Sequence, residues 1–310
     1  MIEYILIFIA AILLIAKAGD VFVDSACRIA RALGVSQAVI ALTLIAFATS
    51  APEFFTSTIA AGLGNVGISY GNVVGSNIVN ITPILALAAI FGVTQIRREQ
   101  LSEGVIMLAI NGALVAIALT GVIGRWAGLL LLAAFVLFLR FVLKREASKV
   151  KRKIVSERRR LGRSILLFIL GTAGVIIGSW LLVYSGVGIA LGLGVSEAAI
   201  GFTLIAIGTS IPGLATIIIS IAKRLPEISV GTIVGSNIFN TAFILGCASV
   251  IRPLALDSQA IWFSNPMMLV AMVLLLGFMW SGMRLSRREG IALLAFYAFY
   301  LTGLSVLYAP

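Results

Sequence analysis

The sequence predicts an all-α integral membrane protein, with ten transmembrane helices arranged as two inverted five-helix repeats whose second helices are broken. Three observations carry this expectation. Hydrophobic residues make up 61% of the 310 residues and charged residues only 11%, and the mean hydropathy is +1.14, far from the mix of a soluble globular chain. Apolar stretches long enough to cross a bilayer recur along the whole chain. Two stretches half the chain apart also share nearly the same letters. TLIAFATSAPE at 43–53 returns as TLIAIGTSIPG at 203–213, and VGSNIVN at 74–80 returns as VGSNIFN at 234–240, so the offset (203 − 43, or 240 − 80) is 160 throughout.

The expected spans are roughly 3–31, 35–61, 69–92, 104–123, 125–143, 164–189, 195–222, 229–251, 260–282 and 289–308. The first has no short apolar region followed by a small-residue cleavage site, so it reads as a retained span rather than a removable signal. Late in it, Asp20 and Asp24 share a helical face with Arg28, a spacing that suits ion pairing better than substrate contact. The second and seventh spans each hold an interior proline, Pro52 and Pro212. Such a proline removes a backbone hydrogen bond and clashes with the carbonyl four residues earlier, here Ala48 and Gly208. Carbonyls freed at membrane depth are tolerated where they face protein or a water-filled cavity. The preceding pairs Thr49-Ser50 and Thr209-Ser210 put hydroxyls at the same breaks.

The third and eighth spans bring Gly71, Gly75, Ser76, Asn77 and Asn80, matched by Gly231, Gly235, Ser236, Asn237 and Asn240. Glycines four apart read first as a close helix-packing surface. Ser76 and Asn80 share a face; a lone serine could simply bond the preceding turn, but its repetition beside a broken helix favours a site. Outside the core match the copies diverge, although residues 29–36 (IARALGVS) still align with 189–196 (IALGLGVS). Between spans five and six lies a hydrophilic connection at about 144–163 whose composition permits a short amphipathic helix. It separates a first half, 1–143, from a second, 164–310.

Ten of the 23 Lys and Arg residues (Lys144, Arg145, Lys149, Lys151, Arg152, Lys153, Arg158, Arg159, Arg160 and Arg163) fall in that connection. If it is cytoplasmic, the same side also holds Arg28, Arg31, Arg97, Arg98, Lys223, Arg224, Arg284, Arg287 and Arg288, whereas the other side holds only Arg125 and Arg252. The bias places both termini outside a plasma membrane, and it explains the net charge of +11 without nucleic acid. Cys27 and Cys247 lie in apolar spans with no metal-ligand spacing, so no disulfide framework is implied. With no histidine in the chain, zinc triads and histidine acid–base chemistry are excluded, and an enzyme is not expected. Five spans per repeat is an odd number, so the second copy crosses the membrane in the opposite sense. That inversion marks an alternating-access transporter.

Of the twelve carboxylates, Glu53 is the one in the middle of an otherwise apolar span, with no Lys or Arg in that span to pair it. It is expected to bind a cation, carry a proton, or do both. Glu197, Glu227 and Asp257 fall at expected helix ends or in loops, where solvation is the ordinary role.

With these residues assembled, the chain resembles the sodium/calcium exchanger branch of the cation/calcium antiporter superfamily, whose two inverted repeats carry G-T-S-x-P-E and G-S-N-x-x-N/D patterns. The resemblance covers essentially the whole chain. It implies secondary active exchange at a mid-membrane site between spans two, three, seven and eight. Carried over by motif, the cation ligands are the side chains of Thr49, Ser50, Glu53, Ser76 and Asn80 from the first copy. The second copy offers Thr209, Ser210, Ser236 and Asn240, with backbone carbonyls near Ala46 and Ala206. No cofactor is implied. The expected partners are transported ions such as sodium, calcium or protons, together with the lipid bilayer, and a monomer is compatible with the pattern.

Two departures stand out. The family usually has an acid at both P-E positions, but here the second is Gly213, and Ser57 is answered by Ile217. Some members also carry Asp at the position of Asn240. Calcium takes six to eight oxygens and binds less tightly as anionic ligands are removed, so a site with one carboxylate leaves a divalent ion uncompensated by about one charge. Two transporter readings therefore stay open: sodium/calcium-type exchange, or exchange of monovalent cations or protons with weak or no calcium transport. A channel or an inactive scaffold is suggested only by Gly213, and the inverted duplication counts against it. Tight, Glu53-dependent calcium binding at equilibrium would show that the missing acid is dispensable.

Overall fold

The computed structural model describes residues 1–32, 50–91, 94–147, 161–211, 213–214 and 227–308. Its helices are α1 (Ile2–Ala32), α2 (Ala51–Leu63), α3 (Val66–Phe91), α4 (Arg98–Ala118), α5 (Arg125–Ala147), α6 (Leu161–Leu193) and α7 (Glu197–Ile211). They continue with α8 (Glu227–Ile238, then Phe239–Leu245 and Gly246–Ile251), α9 (Ala260–Gly282) and α10 (Arg287–Leu307). Eight of the described helices are long and apolar enough to cross a membrane; α2 and α7 are shorter. Most of the second expected span, including Thr49 and Ala46, lies outside the described residues, as do Pro212 and Ile217.

Helix limits differ from the sequence expectation where polar residues continue a helix beyond its apolar stretch. α4 begins at Arg98 rather than 104, because the Gln100 side chain accepts from the Arg97 backbone N–H at 2.9 Å and closes the first turn. Lys144, Arg145 and Arg163 stand on α5 and α6 rather than in a loop. Residues 148–160 of the basic connection are outside the described set. Arg28 pairs with Asp24 at 3.6 Å, four residues apart, as the spacing on α1 suggests. Cys27 and Cys247 are free thiols.

Two helices form the centre. In α3 and α8, 83% and 78% of the most apolar window is buried, against 17–33% in the other long helices. Outer helices expose large apolar side chains such as Trp126, Leu130, Leu166 and Trp280, which suits contact with lipid. Hydroxyls and amides instead fill the central contacts. Thr56 of α2 donates to Ser179 of α6 at 3.2 Å, and Tyr70 of α3 donates to Asn265 of α9 at 2.7 Å.

One pair of equivalents under the 160-residue offset lies side by side. α1 and α6 run antiparallel: Phe22 stacks on Phe168 with centroids 5.0 Å apart, while Tyr4 at the other end meets Tyr184 at 5.7 Å. Two short antiparallel ribbons also join the copies. β1 (Thr94–Gln95) pairs with β4 (Arg284–Leu285), and β2 (Val122–Ile123) pairs with β3 (Leu254–Ala255). The connection after α3 therefore meets the one after α9, and the connection after α4 meets the one after α8.

α3 and α7 cross at a distance only glycine permits. A Cβ at Gly71 would stand 2.8 Å from the Phe202 backbone nitrogen and 2.9 Å from the Ala198 carbonyl oxygen. The packing role expected for the α3 glycines is thus visible, and it brings α3 against the α7 backbone. Turns of π-helix follow at equivalent places, Asn80–Ile84 in α3 and Phe239–Leu245 in α8. Pro83, which has no N–H to return to the preceding turn, accounts for the first; no proline stands in the second.

Because the atoms facing Gly71 are backbone, Gly71→Ala is expected to cost about 1–3 kcal/mol. Gly112→Ala, with no described atom within 4 Å of the new methyl, should be neutral or slightly stabilising. Thermal unfolding of the two purified variants checks this.

Candidate ion-binding site

Glu53 lies in the first turn of α2, which begins at Ala51 with Pro52 inside its first turn. Proline suits that position, because the amide it lacks has no helical partner there. Glu53 is 2% exposed, and it is the one buried carboxylate among the described residues. Its Oε1 accepts from the Ser210 hydroxyl of α7 at 3.1 Å. Its Oε2 is buried without a partner among the described residues. Among the described residues no three His, Cys, Asp or Glu side chains gather into one group, so the oxygens around Glu53 come from hydroxyls, amides and the backbone.

Asn72, one turn before Ser76 on α3, ties the two copies together at this point. Its amide nitrogen donates to the Glu53 carbonyl at 3.3 Å and to Ser57 Oγ at 2.9 Å, while its oxygen accepts from Thr209 of α7 at 2.9 Å. One turn along, Ser76 approaches the Ala206 carbonyl at 3.5 Å, and Thr209 approaches the same oxygen at 3.4 Å. Both are long for O–H···O bonds, so neither hydroxyl holds that carbonyl tightly. Another turn on, Asn80 donates to Asn237 Oδ1 at 3.0 Å. Asn72, Ser76 and Asn80 lie four residues apart, so they form one row along α3, rising about 6 Å per step.

At the α3–α8 crossing the repeat partners clasp reciprocally. Asn80 donates to Asn237, and Asn240 donates to Asn77 Oδ1 at 3.1 Å. Asn237 also donates to the Asn77 carbonyl at 3.1 Å. Asn240 is fully buried, and its Oδ1 has no partner among the described residues. Glu53 and Asn240, two residues singled out by motif, thus each present one bare buried oxygen.

The structure brings Glu53 directly to Ser210, and it joins Thr209, Ser76 and the Ala206 carbonyl through Asn72 and α3. Ser50 is buried at the start of α2, where its hydroxyl does not cap the helix. Ser236 is buried one turn before Asn240. Thr49 and Ala46 lie outside the described residues. At Gly213 no described atom lies within 4 Å of an added Cβ. Three residues of the network escaped the sequence reading, Asn72, Asn111 and Thr241. Their counterparts at the repeat offset are Thr232, Ala271 and Ile81, so repetition gives no signal for them.

Comparison with known proteins places this geometry in context. The family described as "Sodium/calcium exchanger protein" matches residues 3–144 and 163–306. The chain is 31% identical over 342 residues to sodium/calcium exchanger MaX1 of Methanosarcina acetivorans, covering 96% of this chain and 97% of that one. It is 32% identical over 265 residues to the inner membrane protein YrbG of Escherichia coli, covering 82% of each. A solved structure of the sodium-calcium exchanger NCX_Mj, soaked with sodium and strontium, is similar with a TM-score of 0.70 and 30% identity, covering 97% of this chain and 98% of that one.

Removing the Asn72 side chain should leave a hydroxyl, a carbonyl and Ser57 without their shared partner. Asn72→Ala is expected to lower stability by about 1–3 kcal/mol, read as a drop in the unfolding midpoint of the purified protein.

Proposed function

Since the chain belongs to the sodium/calcium exchanger family, we propose that it is a secondary active cation antiporter working by alternating access around a mid-membrane ion site centred on Glu53. The observation that carries this is the bare, buried Oε2 of Glu53, set among hydroxyls and a carbonyl of both copies. A carboxylate oxygen left unpaired at such depth is costly unless a cation or proton completes it. Ligands drawn from both repeats let the site change its exposure when one repeat moves against the other. Thr49, Ser50, Ser76, Asn80, Thr209, Ser210, Ser236 and Asn240, with the carbonyls near Ala46 and Ala206, are the proposed remaining ligands.

The architecture proposed is ten spans in two inverted halves, 1–143 and 164–310, joined by a basic cytoplasmic connection at 144–163, with both termini outside the cell membrane. The antiparallel run of α1 against α6 supports the inversion. So does the ribbon pairing, since inverted copies put the connection after the third helix on the side of the one after the ninth. The exchanger NCX_Mj is described as exchanging extracellular ions with induced occlusion of its binding site, and a comparable closure is proposed here.

A second reading is favoured by one observation, the absence of an acid at Gly213. A monovalent ion at Glu53 is charge-neutral, whereas calcium retains about one unit of charge in a site with low polarity. The chain is then an exchanger of monovalent cations or protons with weak or no calcium transport.

Fluxes in proteoliposomes decide. Calcium uptake driven by an outward sodium gradient supports the first reading, and pH-coupled monovalent flux supports the second. In either case Glu53→Gln, which keeps the shape and removes the charge, should abolish coupled flux without unfolding the protein; undiminished flux would sink the site. Gly213→Glu should raise divalent affinity by about tenfold or more. A folded variant with no gain would show that the cavity around position 213 cannot supply the other ligands.

A further inference from the structure

Asn111 is a fully buried amide inside α4, an outer helix with no motif of its own. Its nitrogen donates to the Met107 carbonyl at 2.9 Å. A backbone carbonyl can only accept, so this bond fixes which way the Asn111 amide points. Its oxygen then faces inward, where it accepts from the Thr241 hydroxyl at 2.7 Å and from Asn77 Nδ2 at 3.3 Å. Thr241 has spent its proton on Asn111, so its oxygen accepts from Asn77 Nδ2 at 2.8 Å. With its nitrogen committed to those two acceptors, Asn77 turns its oxygen to Asn240 Nδ2. The Asn240 oxygen is left as the bare end of the chain.

We propose that Asn111 is a positioning residue for the ion site, setting, through Thr241 and Asn77, the amide orientation that presents the oxygen of Asn240 rather than its nitrogen to a bound cation. The inference rests on the reading of Asn240 as a ligand. An amide oxygen is a hard ligand for sodium or calcium, while an amide N–H₂ repels a cation. An asparagine at position 240 is useful only if its orientation is held, a demand that a symmetric carboxylate would not make. Every bond in the relay has a defined donor and acceptor, and reversing any one amide would set two donors or two acceptors against each other.

The relay joins both halves but has no symmetric copy. The equivalents of Asn111 and Thr241 are Ala271 and Ile81, which carry no side-chain polar group. At the symmetric place the polarity is set more simply, because Asn237 donates to the Asn77 carbonyl and so turns its oxygen to Asn80.

A double-mutant cycle on the full-length purified chain tests this, with sodium and calcium titrated separately and the tighter-binding ion used as probe. Asn240→Ala should weaken binding by about tenfold or more. Asn111→Ala should weaken it by about tenfold in the parent protein, yet change it less than about twofold once Asn240 is already alanine. Thr241→Val, nearly isosteric and the deciding variant if Asn111→Ala fails to fold, should show the same dependence on Asn240 with a severalfold effect. Unchanged affinity in Asn240→Ala would overturn Asn240 as a ligand. A normal loss in Asn240→Ala would overturn the relay if Asn111→Ala and Thr241→Val bind like the parent, or if their effects are as large without Asn240 as with it.

Discussion

The structure depends on one constraint, a buried carboxylate with one of its two oxygens left without a partner among the described residues. Glu53 accepts from Ser210 through one oxygen and shows the other to no donor. In apolar surroundings that arrangement is unfavourable unless an ion or proton joins it. The neighbouring residues can be understood as conditions for tolerating it. Pro52 starts a helix at the right place, Asn72 ties the Glu53 backbone to the opposite copy, and the Gly71 contact brings the α7 backbone into range. None of these provides a compensating positive charge.

Duplication supplies both the scaffold and the ligands. α3 and α8 are buried on nearly all sides because each is the third helix of its copy and the copies meet there. Their asparagines pair reciprocally, so the same contacts that hold the crossing also orient site oxygens. Symmetry stops at the charge. Glu53 has Gly213 as its counterpart, and Asn240 offers only a neutral oxygen, so the carboxylate has no acidic equivalent at the repeat offset. The hydrogen bonds around Asn77 hold the neighbouring neutral groups in fixed orientations, and the charge difference is what separates the two proposed readings of the transported ion.

Much of this was legible in the sequence, for a physical reason. Polar residues at membrane depth are rare, so when Ser76, Asn80, Ser236 and Asn240 recur at a constant offset the coincidence points to a site. The same reasoning could not find Asn72, Asn111 or Thr241, because their partners are Thr232, Ala271 and Ile81 and their role appears only when three helices are brought together. The π-helical turns were also hidden: Pro83 explains the one in α3, but nothing in the letters around Phe243 marks its equivalent in α8. Helix ends were misjudged where capping and charged residues carry a helix past its apolar part, as at Arg98 and Ala147. Ser50 and Ser236, expected as ligands, are both buried, and their ligand role stays a proposal.

The central claim is that a cation sits at Glu53. The most direct measurement is a crystal structure of the protein soaked with a monovalent anomalous scatterer such as thallium and, separately, with strontium. An anomalous peak within about 3 Å of Glu53 Oε2, absent from crystals of Glu53→Gln, is the predicted result. Peaks confined to other places, with Glu53 contacting only Ser210 in both soaks, would contradict it.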